Sequence, residues 1–253
     1  MTKLVVIGVD GATWKVIKPN IDQLPTFKKL MEEGKAETIT LKDTAVISPA
    51  IWCSMFSGVP YKEHQHAKYV KDGHLVTRED LDVKFAWDLL DDIDIRALQV
   101  PFVVPPYNYN CEYSPVGFGA SKDENELDQD TDGIMFKALE QLKQDPDCFI
   151  VVFNALDRIQ HFHWGEPMLL SWYQKMDRAL AMLEKYGEKL IVISDHGFCG
   201  IGEAKTQTLP EVSADGQKLK GDHHEEAILI TRGIEKEITK PEDVFKVIME
   251  EFE

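Results

Sequence analysis

The chain has 253 residues, enough to bury a full core, and one domain spanning 1–253 is the simplest count. Its composition is that of an ordinary soluble globular protein, and its net charge of -16 argues against binding to a nucleic-acid backbone, which needs clustered Lys and Arg. No stretch reaches the roughly 18 or more apolar residues of a membrane span, and no secretory signal is visible at the N-terminus. Cys53, Cys111, Cys148 and Cys199 are widely spaced with no Cys-x-x-Cys pair, which predicts a reduced, cytoplasmic setting without disulfides.

Short runs rich in Val and Ile alternate with longer stretches of helical period. Strands are expected at about 3–9, 36–41, 94–99, 148–154, 189–194 and 226–231. Several are apolar on both faces, as in a parallel sheet covered by helices, so the class is α/β. Helices are expected at about 22–33, 50–57, 84–91, 131–144, 168–186 and 241–251. The last starts at Thr239-Lys240-Pro241-Glu242, a cap followed by proline and acid. In 168–186, Leu169, Leu170, Trp172, Tyr173, Met176, Leu180 and Leu183 form a core stripe. Residues 60–82 and 101–130 read as irregular loops or small insertions near the site, the first with a Lys71-Asp72-Gly73 turn signal.

The residues with chemistry sit where strands end. Val5-Val6-Ile7-Gly8-Val9 runs into Asp10-Gly11, and parallel sheets bind ligands at the carboxyl ends of their strands. Asp157 and His161 follow the run 149–153 and, four apart, share one helical face. Asp195-His196-Gly197 follows Leu190–Ser194, with Gly197 expected to permit a tight turn. His223 and His224 are consecutive, so only one is expected to face a shared ion. Each piece alone has a bland reading as a turn, a cap or a surface pair. Together these Asp and His side chains suit two divalent metals. Ser48 stands before Pro49 at a helix start, where N–H groups favour phosphate oxygens. A serine there is either an N-cap, the commoner case, or a nucleophile.

In this order the motifs resemble the alkaline phosphatase superfamily, and most of all its type I phosphodiesterase/nucleotide pyrophosphatase branch. The matching residues are Gly8–Gly11, Ile47–Gly58, Asp157–His161, Ser194–Phe198 and Gly221–His223. The resemblance implies a three-layer α/β/α core with a mostly parallel central sheet. It implies one metal site of Asp157, His161 and His223, and another of Asp10, Asp195 and His196 together with the Ser48 oxygen. His223 is preferred to His224 because the family pattern is Gly-x-His. Ser48, ten residues before Gly58, falls at the nucleophile position. Ser54 and Cys53 do not, and Cys53 lacks the Pro and Arg that follow a sulfatase cysteine. The implied activity is two-metal hydrolysis of a phosphoric ester or phosphoanhydride through a phospho-serine, with zinc or manganese and no organic cofactor.

The expected partner is a small phosphate ester such as a nucleotide, with no membrane. A phosphomonoesterase, a phosphonate hydrolase and a phosphoryl-group transferase are the alternatives on the same core, and a binding module with a relict site is the non-catalytic one. The chain is short for this superfamily, so 60–82 and 101–130 would build the substrate pocket. Trp52, Phe102, Tyr107 and Tyr109 are candidates to stack on a base, and Lys68 or Lys71 to meet phosphate. For each of these, packing or solvation is the commoner role. Arg78 and Arg96 are the arginines between Asp10 and Asp157, and neither sits by a motif. A monoester dianion calls for such extra positive charge, so a diester is favoured.

Overall fold

The computed structural model describes residues 1–103, 106–111, 123–213 and 216–252. The strands are β1 (Thr2–Val9), β2 (Lys35–Thr40), β3 (Val70–Lys71), β4 (His74–Leu75), β5 (Ile95–Leu98), β6 (Cys148–Phe153), β7 (Gly187–Ile193), β8 (Gly197–Gly200), β9 (Gly221–His224) and β10 (Glu226–Arg232). The helices are α1 (Trp14–Ile17), α2 (Pro25–Glu33), α3 (Ser48–Ser57), α4 (Tyr61–His64), α5 (Ala86–Leu89), α6 (Glu124–Leu142), α7 (Ala155–His163), α8 (Met168–Leu183) and α9 (Glu242–Phe252). Six strands form the central sheet in the order β2-β10-β7-β1-β6-β5. β7, β1, β6 and β5 are mutually parallel, and β10 runs antiparallel between β7 and β2.

The period-two alternation of the strands builds two cores. Val5, Ile7 and Val9 of β1 pack on one face with α2, α6, α7 and α8. Leu4 and Val6 pack on the other with α3, α5 and α9. Each central strand is thereby buried on both sides, which is why its sequence is continuously apolar. The result is three α/β/α layers, the core that the family resemblance implies.

The structure differs from the sequence expectations in several places. α6 starts at Glu124, inside the stretch read as a loop, with Asp123 accepting from Asn125 N and Glu126 N as its cap. Residues 104, 105 and 112–122 of that stretch lie outside the described residues. α1 and α4 are too short for an apolar period to reveal, and α7 is anticipated only through the spacing of Asp157 and His161. The turn signal at Asp72-Gly73 is borne out by the β3–β4 hairpin, where both residues have positive φ. Gly197 does not make a turn: it opens β8, and a Cβ there would lie 2.1 Å from the Glu226 carbonyl of β10. Close backbone approach, and not conformational freedom, requires glycine at this position. No helix among the described residues is long and apolar enough to cross a membrane.

Candidate active site

The three adjacent strands β7, β1 and β6 end on the same edge of the sheet, in register at Gly8–Ile193 and Val9–Phe153. That edge presents Asp10 after β1, Asp157 in the first turn of α7 after β6, and Asp195-His196 after β7. β8 and β9 pair as a ribbon over it, which brings His223 to the cluster from a segment 62 residues beyond His161. All seven residues singled out in the sequence converge here.

Asp157, His161 and His223 form a triangle. Asp157 Oδ1 lies 3.2 Å from His161 Nε2 and 3.3 Å from His223 Nε2, and the two imidazole nitrogens are 3.3 Å apart. Asp10, Asp195 and His196 form the second group, with one ligand atom of each within 4.8 Å of the others. His196 Nε2 bridges the two, at 3.7 Å from Asp10 Oδ1 and 3.9 Å from Asp157 Oδ1, so Asp157, His196 and His223 also lie within metal-binding reach of one another. His224 turns away and meets Glu225 and Glu226, and His163 pairs with Glu166 and Glu124 on the surface.

The donor set fits cations. Each imidazole has its Nδ1 against a backbone carbonyl: His161 with Gly221 at 3.3 Å, His196 with Gly197 at 2.9 Å and His223 with Val46 at 2.8 Å. A carbonyl only accepts, so each Nδ1 donates, and the neutral ring offers an Nε2 lone pair to the cluster. Three lone pairs thus face three carboxylates. Asp157 Oδ1 and Asp195 Oδ2 are buried and accept no hydrogen bond. Acceptors facing acceptors in a buried site repel one another unless protons or metal ions lie between them.

The titration behaviour carries the same conflict. Burial, then the Asp195 and Asp157 charges, push the Asp10 carboxyl well above its ordinary range. Burial lowers the His196 imidazole against the pull of Asp195. Burial would also raise Asp157, but His161 and His223 outweigh it and hold that carboxyl well below the usual value. His223 is raised: its burial is outweighed by the adjacent Asp157 carboxylate.

Ser48 is the first residue of α3, and the N-cap is Ile47, which makes no side-chain cap bond. Its hydroxyl is therefore not used as a cap. It lies 3.3 Å from Asp10 Oδ1 and 3.3 Å from His196 Nε2. The helix terminus offers fewer free N–H groups than its position suggests: Pro49 has none, and Ala50 N and Ile51 N both bond to the Ile47 carbonyl. What remains is the positive end of the helix dipole and the Ser48 N–H.

Several supporting residues escaped sequence reasoning. Trp52 Nε1 donates to Asp10 Oδ2 at 3.3 Å. Its ring crosses β1 at Gly8, where a Cβ would come within 2.6 Å of it. Gln160 Nε2 donates to the Gly11 carbonyl at 2.8 Å and Tyr173 donates to Gln160 Oε1 at 2.8 Å, which fixes the loop after β1. Asp222 accepts from Thr208 N, Leu209 N and His223 N. An indole or amide at one place in the chain and its partner 42 or 149 residues away leave no local signal.

The aromatic candidates for base stacking and the two arginines are engaged in packing and pairing. Trp52 and Phe102 are fully buried. Tyr107 donates to the Trp87 carbonyl, and Tyr109 packs against the core. Lys68 and Lys71 are exposed. Arg78 pairs with Asp88 and covers Tyr107. Arg96 bonds to Asp94, Gln141 and Gln144. Cys53, Cys148 and Cys199 are buried and Cys111 is half-buried.

A search of the curated proteins gives no match. Among solved structures, mouse ectonucleotide pyrophosphatase/phosphodiesterase 5 is similar over 98% of this chain and 94% of its own, with a TM-score of 0.70 at 14% identity. Its human counterpart is similar over 98% and 94%, with a TM-score of 0.69 at 13% identity. Phosphonoacetate hydrolase from Sinorhizobium meliloti 1021 is similar over 86% of this chain with a TM-score of 0.59 at 15% identity, and this chain spans 59% of that one. At these identities the likeness shows a shared fold. The sequence itself matches the family model described as type I phosphodiesterase / nucleotide pyrophosphatase over residues 4–216. With most of its length matched, the chain belongs to the type I phosphodiesterase/nucleotide pyrophosphatase family of metal-dependent hydrolases.

Proposed function

We propose that the chain hydrolyses a phosphodiester or nucleotide phosphoanhydride bond, with Ser48 as nucleophile and two divalent ions held by Asp10, Asp157, His161, Asp195, His196 and His223. The observation that carries this reading is the place of the Ser48 hydroxyl. It is buried, 3.3 Å from both Asp10 and His196, and not engaged as a helix cap. Two ions at such a site would supply Lewis acidity, which lowers the pKa of a coordinated hydroxyl and offsets charge on a phosphoryl group.

The chain's own residues supply the rest. Asp10 Oδ1 accepts the Ser48 proton and orients the oxygen. Trp52 holds the other carboxylate oxygen. The Nδ1 tethers fix His161, His196 and His223 with lone pairs inward. The positive end of α3 favours negative charge beside Ser48. In the first step the Ser48 oxygen bonds to phosphorus and the bond to the leaving oxygen breaks, that oxygen taking the electron pair and a proton. In the second, a water oxygen bonds to phosphorus, the bond to Ser48 breaks, and the serine regains its proton.

A diester is preferred because both arginines considered for a monoester dianion are committed to structural pairs. Zinc or manganese is the proposed metal from the mixed Asp and His donors. A mouse relative, in an inactive form, is in complex with AMP, which makes nucleotides the first substrates to screen. A cytoplasmic location, drawn from the cysteines, is part of the proposal.

The test compares a bis-aryl phosphate diester with the matching aryl monoester, after chelation and after zinc or manganese is restored. Faster metal-restored cleavage of the diester is expected. Ser48→Ala is expected to abolish turnover while fold and metal content stay near normal. Full activity in Ser48→Ala would refute the nucleophile, and faster monoester cleavage would refute the substrate class.

A further inference from the structure

The group lying beside Ser48, apart from the Asp and His cluster, is an uncharged one. Tyr69, the residue before β3, has its hydroxyl against Ser48 and is close enough to Asp10, Asp195 and Asp157 to feel all three charges. It is half-buried. Nothing in its local sequence marks it.

A series of contacts back to the nucleophile's own helix brings it there. His64, at the end of α4, has Nε2 2.9 Å from Ser54 Oγ of α3, six residues beyond Ser48. Its Nδ1 accepts from His66 N at 3.0 Å. That acceptor role puts the imidazole proton on Nε2, so His64 donates toward α3. His66 is buried, with its ring edge-on to Phe102 at 6.1 Å. Tyr69 then enters the β3–β4 hairpin, where its carbonyl accepts from Val76 N at 2.8 Å. The segment is held at one end by α3 and at the other by the hairpin. A phenol fixed in this way is a preorganised donor, since an ordinary tyrosine is protonated at neutral pH.

We propose that Tyr69 is a substrate-contacting residue: its hydroxyl donates to a non-bridging oxygen of the phosphoryl group attacked by Ser48, favouring a group with one negative charge. The inference rests on the phosphoryl-transfer reading above. A neutral donor stabilises the single charge of a diester, whereas a dianion gains most from a guanidinium or ammonium. The structure places a phenol at this point and commits Arg78 and Arg96 elsewhere.

The experiment uses the full metal-reconstituted chain as wild type, Tyr69→Phe and Ser48→Ala. It measures kcat and KM on the diester and the monoester, and orthovanadate affinity by calorimetry. Phenylalanine keeps the ring and its packing, so a purely structural role predicts no change. In Tyr69→Phe, diester kcat is expected to fall about 100-fold with KM within a few-fold, as for loss of one transition-state donor. Orthovanadate is expected to bind about tenfold more weakly, the diester-to-monoester ratio to drop, and metal content to stay the same. Wild-type kcat and vanadate affinity in Tyr69→Phe, with Ser48→Ala inactive, would overturn the role of Tyr69 and leave the hydrolase reading standing. A wild type that cleaves neither ester and binds no vanadate would overturn both.

Discussion

Replacing Asp195 by Asn should stabilise the metal-free protein and abolish its stabilisation by metal. Asp195 is fully buried, its Oδ1 accepts from Gly11 N at 3.2 Å, and its Oδ2 is unpaired 3.4 Å from His196 Nε2. Asparagine keeps the first bond and aims an N–H at the imidazole lone pair. It also removes a charge whose ligand oxygen lies within 4.8 Å of that of Asp10. At an effective dielectric of about 20, two unit charges at that spacing repel by about 3 kcal/mol. Asp10 relieves part of this in the wild type by taking up a proton, because its carboxyl is raised, first by burial and then by Asp195. The net gain expected for metal-free Asp195→Asn is therefore about 2 kcal/mol.

The pH dependence has a definite sign. A raised carboxyl binds more protons folded than unfolded, so metal-free wild type loses stability as pH rises through the folded value of Asp10. The advantage of Asp195→Asn should widen over that interval. With metal restored the order reverses, since ligand at about 100 times its Kd adds about 2.7 kcal/mol to the wild type. Urea denaturation of both proteins, with chelator and with zinc or manganese, measures this directly. A chelated Asp195→Asn less stable than chelated wild type would refute the picture of a site strained by converging acceptors.

Other perturbations separate the scaffold from the site. Asp177 of α8 accepts from Thr26 N and Phe27 N at 2.8–3.1 Å and so caps α2 from another helix; Asp177→Ala should cost about 2 kcal/mol in urea denaturation and Asp177→Asn less. Glu184 would be raised by burial, but Lys29 and Arg232 outweigh this and lower it. Its contribution, about 2 kcal/mol, should be complete above the unfolded value of about 4.3 and vanish as pH falls through the folded one, a loss absent from Glu184→Gln. Trp52→Phe removes the Asp10 Oδ2 donor and should weaken metal binding about tenfold with the fold intact; unchanged affinity in a metal titration would refute that support role.

The sequence by itself determined the α/β class, the six sheet strands and the ends at which chemistry collects. A strand buried on both faces reads as an apolar run, and the residue that ends it is visible as the first polar one. Asp10 was legible for that reason, Asp157 and Asp195 because they follow such strand ends within a few residues, and Ser48 because a proline marked the start of α3. Family resemblance, more than periodicity, separated His223 from its neighbour His224, and the tertiary structure shows the physical cause: Nδ1 of His223 is held by the Val46 carbonyl, 177 residues away. The same limit applies to every feature that only the fold decided. α2 has no local cap because Asp177 supplies it across 151 residues. Trp52 reaches Asp10 only because Gly8 leaves room for its ring. Tyr69 meets Ser48 only through the Ser54–His64–His66 contacts and the hairpin. Sequence periodicity records which face of an element is buried; it holds no record of which distant donor or acceptor closes the hydrogen bonds there, since that pairing exists only once the layers have packed.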